Sequence, residues 1–354
     1  MTSVLGETDL PGYVVLVDPD GSIRTVKTGG MDLATLAWAP DRLHFADGKA
    51  DYTLTDAGLD RVEIPKAAAQ NFLIPLADGA AVGVYNDGHT ENGYVNQVAV
   101  SANGHGDVYD IEGNYFGGAD CDGTVYGLAA DPGAHLDESA TLTGMRSEAD
   151  PSQHPQMLAQ LYPRGTDSPE TVIAWRASFS SGVTGQVPCE DGIMTFLSDD
   201  VAADGTERGT VVTWNTRTGE HTTVPLSYSS TPALEADAID YGHFDAMSLT
   251  GEQFEWVAPD GRFLTTDVST GKTRLLFDTG IGNEVGGDGT SLWALGSTKV
   301  HAFHQDYTDD ASPVTYHVFD RATGEQVTET ELPIRSDEIN VSYLGWWRMA
   351  VRPE

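Results

Sequence analysis

Lysine is scarce in this 354-residue chain, which has five copies of it, and acidic residues outnumber basic ones by 54 to 19. The formal net charge is therefore −35. A surface this acidic repels phosphate backbones and anionic lipid headgroups, which argues against nucleic acid as a partner. Cations, cationic peptides and neutral glycans stay compatible with it, as does a role in solubility alone.

Long apolar runs are missing as well. No stretch of roughly 18 apolar residues occurs, so no transmembrane helix is expected. The first residues, MTSVLGETDLPGYVV, have neither the basic nor the apolar segment of a signal peptide. Two interpretations follow: a cytoplasmic protein, or a mature exported domain with an added Met. The Gly-, Thr- and Asp-rich composition favours an exported bacterial protein, extracellular or lipoprotein-like at the cell surface.

Helical patterning is almost absent, and short runs of β-branched and aromatic residues take its place. Asp-Gly, Asn-Gly and Thr-Gly pairs separate these runs. Such pairs supply the positive φ angles of tight hairpin turns, so the chain is predicted to be all-β.

One hairpin pattern repeats along the chain. A strand, a Thr-Gly turn and a second strand occur around Gly219, Gly271 and Gly324. The glycines are 52 and then 53 residues apart. A period of about 40–55 residues with several short strands indicates the blade of a β-propeller.

Six units can be delimited, and the two ends suggest a seventh. The six cover residues 31–65, 70–111, 114–178, 183–226, 239–277 and 283–333. Residues 13–27 resemble the outer two strands of a blade, and residues 339–351 resemble the inner two. Joining them predicts a single seven-bladed propeller over residues 1–354, closed by both termini. Six or eight blades, or two sandwich domains, are the alternatives.

The Thr-Gly hairpins at 218–220, 270–272 and 323–325 resemble those of the quinoprotein-like and WD40-like β-propeller superfamily. The Trp-Asp dipeptide of true WD40 repeats and its upstream Gly-His element are missing. The Asp-box of sialidases is not convincingly present either. The resemblance therefore implies a fold and no activity.

The two cysteines, Cys121 and Cys189, precede acidic-Gly turns at matching positions of consecutive units. First strands of neighbouring blades converge near the axis, so a disulfide is feasible if the Cα atoms lie within roughly 7 Å. Two buried thiols are the alternative, and a redox pair is a third possibility.

A ligand site is expected where long connections share one face of the ring. Four polar segments qualify: 86–94, 131–156, 227–243 and 304–313. An aromatic ring near them could stack on a sugar or hold a cation. The candidate ligand-binding residues are Asp87, His89, Glu91, Tyr115, His243, His304 and Asp306.

No cofactor is required by any motif. The histidines lack a metal-binding spacing, and the turns 18–21 and 120–123 offer oxygen ligands without the full calcium-loop pattern. Calcium or another divalent metal remains possible.

Three functions are compatible with these features. The first is a monomeric, exported or cell-surface module that binds a peptide, glycan or protein on its long-connection face. The second is a lyase or hydrolase, for which at least two of His89, His243 and His304 must meet carboxylates at the channel mouth. The third is a purely structural domain of a larger assembly. No catalytic residue can be named.

Overall fold

The computed structural model describes most of the chain. The described residues are 11–19, 21–91, 93–131, 135, 154–166, 168–178, 185–201, 207–228, 246–282, 289–306, 313–332 and 348–353. Within these ranges the chain is all-β, with 28 strands numbered β1 to β28 in chain order. No helix in the described ranges has the length and apolar character needed to cross a bilayer.

The strands form one hairpin and six antiparallel sheets, which we number as blades 1 to 6. The hairpin and blades 1 to 3 comprise β1 Pro11–Val17 and β2 Ile23–Gly29; β3 Ala37–Ala39, β4 Arg42–Ala46, β5 Ala50–Thr55 and β6 Gly58–Glu63; β7 Ala69–Pro75, β8 Ala81–Thr90, β9 Gly93–Ala102 and β10 His105–Glu112; β11 Asn114–Cys121, β12 Thr124–Asp131, β13 His154–Tyr162 and β14 Thr171–Ser178.

Blades 4 to 6 comprise β16 Cys189–Glu190, β17 Ile193–Val201, β18 Glu207–Asn215 and β19 His221–Pro225; β21 Met247–Thr250, β22 Gln253–Val257, β23 Arg262–Asp267 and β24 Lys272–Asp278; β25 Gly289–Leu295, β26 Lys299–Asp306, β27 Val314–Asp320 and β28 Gln326–Leu332. Two short strands pair in parallel with blades 3 and 5, as a fifth strand of each: β15 Gly185–Gln186 beside β11, and β20 Ser227–Tyr228 beside β24.

The described residues form six four-stranded blades, so the prediction of seven is corrected to six, which was an alternative. The six units delimited in the sequence coincide with these blades. The expected outer half of a seventh blade exists as the hairpin β1–β2, but its sheet has only two strands. Of the expected inner half, residues 339–351, only 348–351 lie within the described residues.

The hairpin β1–β2 packs between blade 6 and blade 1. Val14 belongs to an apolar cluster with Leu43 and Phe45 of blade 1. At the other end of β1, Val17 packs against the cluster of Phe303 and Val314 of blade 6. Because burial of these side chains on both sides is favourable, the hairpin joins the last blade to the first.

The C-terminal segment 348–353 lies at the same junction. Met349 packs against the apolar cluster of blade 6. Arg352 pairs with Asp56 of blade 1 at 3.4 Å and stacks over the ring of Trp38, with its Cζ atom 5.6 Å from the ring centre. The hairpin β1–β2 and the segment 348–353 thus both contact blades 1 and 6.

Buried apolar side chains fill the spaces between blades. Each strand presents alternate residues to opposite faces of its sheet, so both faces of a blade need apolar residues. Trp214, Trp256 and Trp293 lie in three of these interfaces and are almost completely buried, as expected for core tryptophans.

The repeated Thr-Gly turn has a defined geometry. In blade 5 the Asp267 carboxylate accepts hydrogen bonds from the Thr270 amide at 2.9 Å and the Thr270 hydroxyl at 2.7 Å. The next residue, Gly271, has φ +69°, which an L side chain rarely adopts. A Cβ there would lie 2.1 Å from the carbonyl oxygen of Pro225 in the preceding blade. The glycine is therefore required by the turn and by the close approach of the two blades.

The connections divide between two faces of the ring. Turns between first and second strands, and between third and fourth strands, lie on one face. The longest described connection there spans residues 163–170. We call this the short-turn face. Connections between second and third strands and from blade to blade lie on the opposite, long-connection face. Strand β12 ends on this face at Asp131, and β8 and β9 are joined there.

Candidate functional site

Three predicted site residues lie together on an extended hairpin of blade 2. The segment 86–94 was expected to be an irregular loop, but β8 continues to Thr90 and β9 resumes at Gly93. The hairpin ends on the long-connection face, and Asp87, His89 and Glu91 are exposed on it. We call residues 86–94 the blade 2 tip.

Hydrogen bonds within the blade 2 tip set its shape. The Asn86 side-chain oxygen accepts a hydrogen bond from the amide of Gly88 at 2.8 Å, and Gly88 has φ +101°. This turn shifts the register of the two strands before they pair again at His89 and Tyr94. The ring of His89 meets that of Tyr94 edge to face, with centroids 5.0 Å apart.

The base of the tip is acidic. The Gln97 side-chain amide donates to Asp87 at 3.3 Å and to Asp110 at 3.2 Å. Partial burial and the neighbouring Asp110 carboxylate raise the pKa of Asp87 above its ordinary value. Two carboxylates held this close favour a cation between or beside them, since a cation offsets their mutual repulsion.

His304 lies in blade 6, on β26. Its Nδ1 atom is 2.9 Å from the Ser291 hydroxyl oxygen. The neighbouring His317 ring is bonded to the Thr315 hydroxyl at 2.9 Å, and burial lowers its pKa. These contacts orient the imidazoles of His304 and His317 through neighbouring hydroxyls.

Tyr115 is the predicted residue that the structure places elsewhere. It was expected to offer an exposed ring, but it is fully buried between blades 2 and 3. Burial raises the pKa of its hydroxyl well above the ordinary value. On β11 this side chain points into the core between the blades, so its ring cannot stack on a ligand at the surface. The expectation of an exposed ring is therefore corrected.

The remaining predicted residues are described only in part. His243 lies outside the described residues, and Asp306 is placed as the end of β26 without its side chain. His89 belongs to blade 2 and His304 to blade 6, so the described structure does not bring these two together with carboxylates. In the described ranges no three His, Cys, Asp or Glu side chains are arranged to hold a metal.

The disulfide between Cys121 and Cys189 is confirmed, with Cα atoms 5.5 Å apart. Cys121 ends β11 of blade 3, and Cys189 begins β16 of blade 4. The bridge thus joins the inner strands of two blades beside the short-turn face. This position follows from the matching places of the two cysteines in consecutive repeats.

Sequence reasoning missed several buried polar residues on the long-connection side of blades 1 to 3. Lys66 forms a 2.8 Å ion pair with Asp51, and the two side chains are 0% and 8% exposed. The Nζ atom of Lys66 also lies 5.3 Å from the ring centre of Tyr85. Burial lowers the pKa of Lys66 despite the attraction of Asp51. The single lysine within an otherwise apolar segment was the available signal.

A pair of asparagines holds the start of blade 3. The Asn71 amide donates to the carbonyl oxygen of Tyr115 at 2.6 Å. The Asn96 side-chain oxygen accepts from the amide of Tyr115 at 2.8 Å. Both backbone groups of one residue are thereby satisfied by side chains of the neighbouring blade. Nothing in the spacing of the asparagines indicates this arrangement.

Solved structures similar to the chain share little sequence with it. BamB from Moraxella catarrhalis is 11% identical, with 84% of this chain and 75% of that chain covered and a TM-score of 0.42. An apocarotenoid oxygenase variant from Synechocystis is 12% identical, with 85% and 71% covered and a TM-score of 0.45. The computationally designed Ika8 protein is 14% identical, with 85% and 88% covered and a TM-score of 0.43. Likenesses this distant carry no argument about function.

The family comparison is more direct. No curated protein matches the chain in sequence. The sequence model described as "YycP, beta-propeller domain" matches residues 2–341, nearly the whole chain. Its fold agrees with the six blades seen in the structure. The chain therefore belongs to the YycP β-propeller domain family.

Proposed function

We propose that this protein is an exported or cell-surface binding module that recognises a cationic peptide or protein segment on its long-connection face. The observation that carries the proposal is the distribution of charge. The segments 86–94, 131–156, 227–243 and 304–313 contain 13 acidic residues and one basic residue, Arg146. This ratio is far more lopsided than the 54 to 19 of the whole chain.

Concentrated negative charge on one face acts on a partner in two ways. It accelerates the encounter with a cationic surface, and it repels anionic competitors. Exposed carboxylates also pair with Lys and Arg side chains, although each such pair contributes only about 0–1 kcal/mol. Recognition by this face would therefore depend on several carboxylates together and weaken with added salt.

The disulfide supports the proposed location. Disulfides persist in oxidising compartments and are rare in the reducing cytosol. The Cys121–Cys189 bridge joins two blades and leaves no described cysteine free. An exported protein would meet cationic peptides or protein segments outside the cytoplasm, where this bridge is stable.

The test uses charge-neutral variants on the two faces. A fluorescent peptide of about 15 residues, rich in Lys and Arg, is titrated with the protein at low ionic strength. The double variant Asp87→Asn/Glu91→Gln removes two charges from the blade 2 tip. We expect its Kd to rise on the order of tenfold, because both carboxylates are exposed on the proposed binding face.

The matched control removes two charges from the short-turn face. Glu252 and Glu325 are exposed in turns there, and Glu252→Gln/Glu325→Gln should leave the Kd unchanged. Peptides of the same length with neutral or acidic side chains should bind weakly or not at all. Equal loss of binding in both double variants, or equal binding of the neutral peptide, would contradict the proposal.

A further inference from the structure

One leucine has a backbone conformation that its side chain disfavours. Four non-glycine residues in the described ranges have positive φ, namely Leu33, Asn103, Asp122 and Asp191. Asparagine and aspartate tolerate the left-handed region because their short polar side chains can hydrogen-bond locally, whereas a leucine side chain cannot. Leu33, at φ +54°, is therefore strained. Such a residue persists only where the surrounding structure holds it.

The strain at Leu33 does not bury its side chain. That side chain is 38% exposed, whereas the side chain of Met31 is 1% exposed. A single exposed leucine is common on protein surfaces, but an exposed leucine on strained backbone is not. The local structure thus directs a large apolar side chain toward water at a cost in free energy.

Hydrogen bonds clamp the segment before β3 onto blade 2. The Asp32 amide donates to the carbonyl oxygen of Ala68 at 2.8 Å, and the Gln70 amide donates to the carbonyl oxygen of Asp32 at 2.8 Å. The side-chain oxygen of Gln70 accepts from the Thr35 amide at 2.7 Å, and its side-chain nitrogen donates to the Tyr85 hydroxyl at 3.0 Å. Because Gln70 and Tyr85 are fully buried, this framework holds the exposed leucine in place.

The clamped leucine lies on the long-connection face, beside the blade 2 tip. The first strand of blade 2 begins on that face at Ala69, and Asp32 pairs with this residue. The nearby Ala67 amide donates to the side-chain oxygen of Gln97 at 2.9 Å. The side-chain nitrogen of Gln97 donates to Asp87 of the tip at 3.3 Å. Hydrogen bonds thus connect the leucine's segment to the acidic hairpin.

Small apolar residues accompany the leucine at this place. Residues 67–69 are alanines, and all three are half-buried. Ala34 and Ala67 pack on the same apolar cluster, that of Met31 and Tyr85. An apolar surface beside carboxylates suits an apolar side chain that has cationic neighbours, since apolar burial favours the contact and charge complementarity selects the partner.

We propose that Leu33 is the apolar anchor of the long-connection face, and that the cationic segment bound there carries an apolar residue among its Lys and Arg residues. This inference rests on the proposed function and specifies its partner further. A second copy of this chain, with its net charge of −35, would be repelled, and so would an anionic membrane. A cationic segment with an apolar side chain is attracted by both features of the face.

Two fluorescent peptides of equal length and charge test the anchor. Both are rich in Lys and Arg; one carries a single central Leu, and the other carries Ser in its place. We expect the native chain to bind the Leu peptide about fivefold more tightly, because part of one leucine side chain leaves water. Leu33→Asn should bind both peptides alike, with the Kd of the Ser peptide unchanged.

The variant Leu33→Asn also separates binding from folding. Asparagine tolerates left-handed backbone better than leucine does, so Tm should stay the same or rise. The matched control is Leu59→Asn, at a leucine that is 44% exposed on the outer strand of blade 1, and it should keep the preference for the Leu peptide. Asp87→Asn/Glu91→Gln should weaken both peptides by the same factor and keep the preference.

Three results would overturn the anchor while leaving the binding of a cationic segment in place. They are equal affinity of the native chain for the two peptides, a preference that Leu33→Asn retains, and a native dimer that Leu33→Asn dissociates in analytical ultracentrifugation. The last result would assign the leucine to a second copy of the chain. Failure of both peptides to bind would instead contradict the proposed function, and the anchor with it.

Discussion

At the scale of single residues, two turn glycines separate the cost of a strained backbone from the cost of a steric clash. Gly271 and Gly104 both follow a third strand and both have positive φ, +69° and +77°. A Cβ on Gly271 would meet the Pro225 carbonyl, whereas a Cβ on Gly104 would meet nothing within 4 Å. One glycine is needed for packing and backbone, and the other for backbone alone.

The substitution Gly104→Ala should therefore cost about 1–2 kcal/mol, the usual penalty of left-handed backbone for an L residue. Gly271→Ala should cost at least about 2 kcal/mol more, because the two blades must move apart. Urea unfolding of both variants against the native chain measures the difference. Equal costs would show that the contact with Pro225 does not restrict this position.

A second residue-scale prediction concerns acid. Burial lowers the pKa of His44 to about 4, and the side chain is 2% exposed. In the unfolded chain the pKa of a histidine is about 6.5. Between the folded and the unfolded pKa, the unfolded state therefore binds more protons than the folded state. Stability therefore falls as the pH drops from about 6.5 to about 4, with about 2 kcal/mol lost by pH 5.

The variant His44→Leu removes the titrating imidazole and places an apolar side chain at this buried position of blade 1. Urea midpoints of the variant and the native chain, measured at about pH 7 and about pH 5, give the comparison. We expect the variant to lose about 2 kcal/mol less than the native chain on acidification. Other titrating groups, such as His317, are present in both and cancel. Parallel losses would contradict the assignment to His44.

At the scale of elements, the Cys121–Cys189 disulfide is the covalent tie between blades 3 and 4. It closes a long loop, and such bridges typically contribute about 2–4 kcal/mol by restricting the unfolded chain. Reduction of the native chain should lower Tm by several degrees, while Cys121→Ala/Cys189→Ala should be insensitive to reductant. A native Tm that reductant does not change would contradict a stabilising role.

The sequence predicts the elements where local chemistry determines them. In blades 4 to 6 the Asx-x-x-Thr-Gly turns specify hairpins by their own hydrogen bonds. All six repeat units coincide with the blades. The tip 86–94 was misassigned because NDGHTENG contains two turn signals, and the first makes only a register shift within the hairpin. Tyr115 was misplaced because its burial arises from the packing of blade 3 against blade 2, which residue spacing does not show.

At the scale of the whole molecule, the closure of the ring could not be predicted from the repeats. The segment 13–27 has the pattern of a half-blade, and the structure shows a hairpin packed on blade 6 and blade 1. Whether such a hairpin gains further strands depends on contacts between distant parts of the chain. The same limit applies to Glu112 and Glu170, because the hydrogen bond from the Glu112 amide to the Glu170 carboxylate forms only when blades 2 and 3 stack.

The division of the ring into two faces follows from the meander itself. Since strands alternate in direction within every blade, all turns of one kind lie on one side. The tight turns and the disulfide hold the short-turn face, and the acidic connections leave from the other. The proposed recognition therefore uses the side of the scaffold opposite the tight turns and the disulfide.

Hydrogen exchange on the full chain, with and without the Lys- and Arg-rich peptide, tests this assignment most directly. We predict slower exchange at the blade 2 tip and in the connections of the long-connection face. Amides in the turns around Gly219, Gly271 and Gly324 should exchange at the same rate in both samples. Protection of those turns, with an unchanged blade 2 tip, would contradict the account.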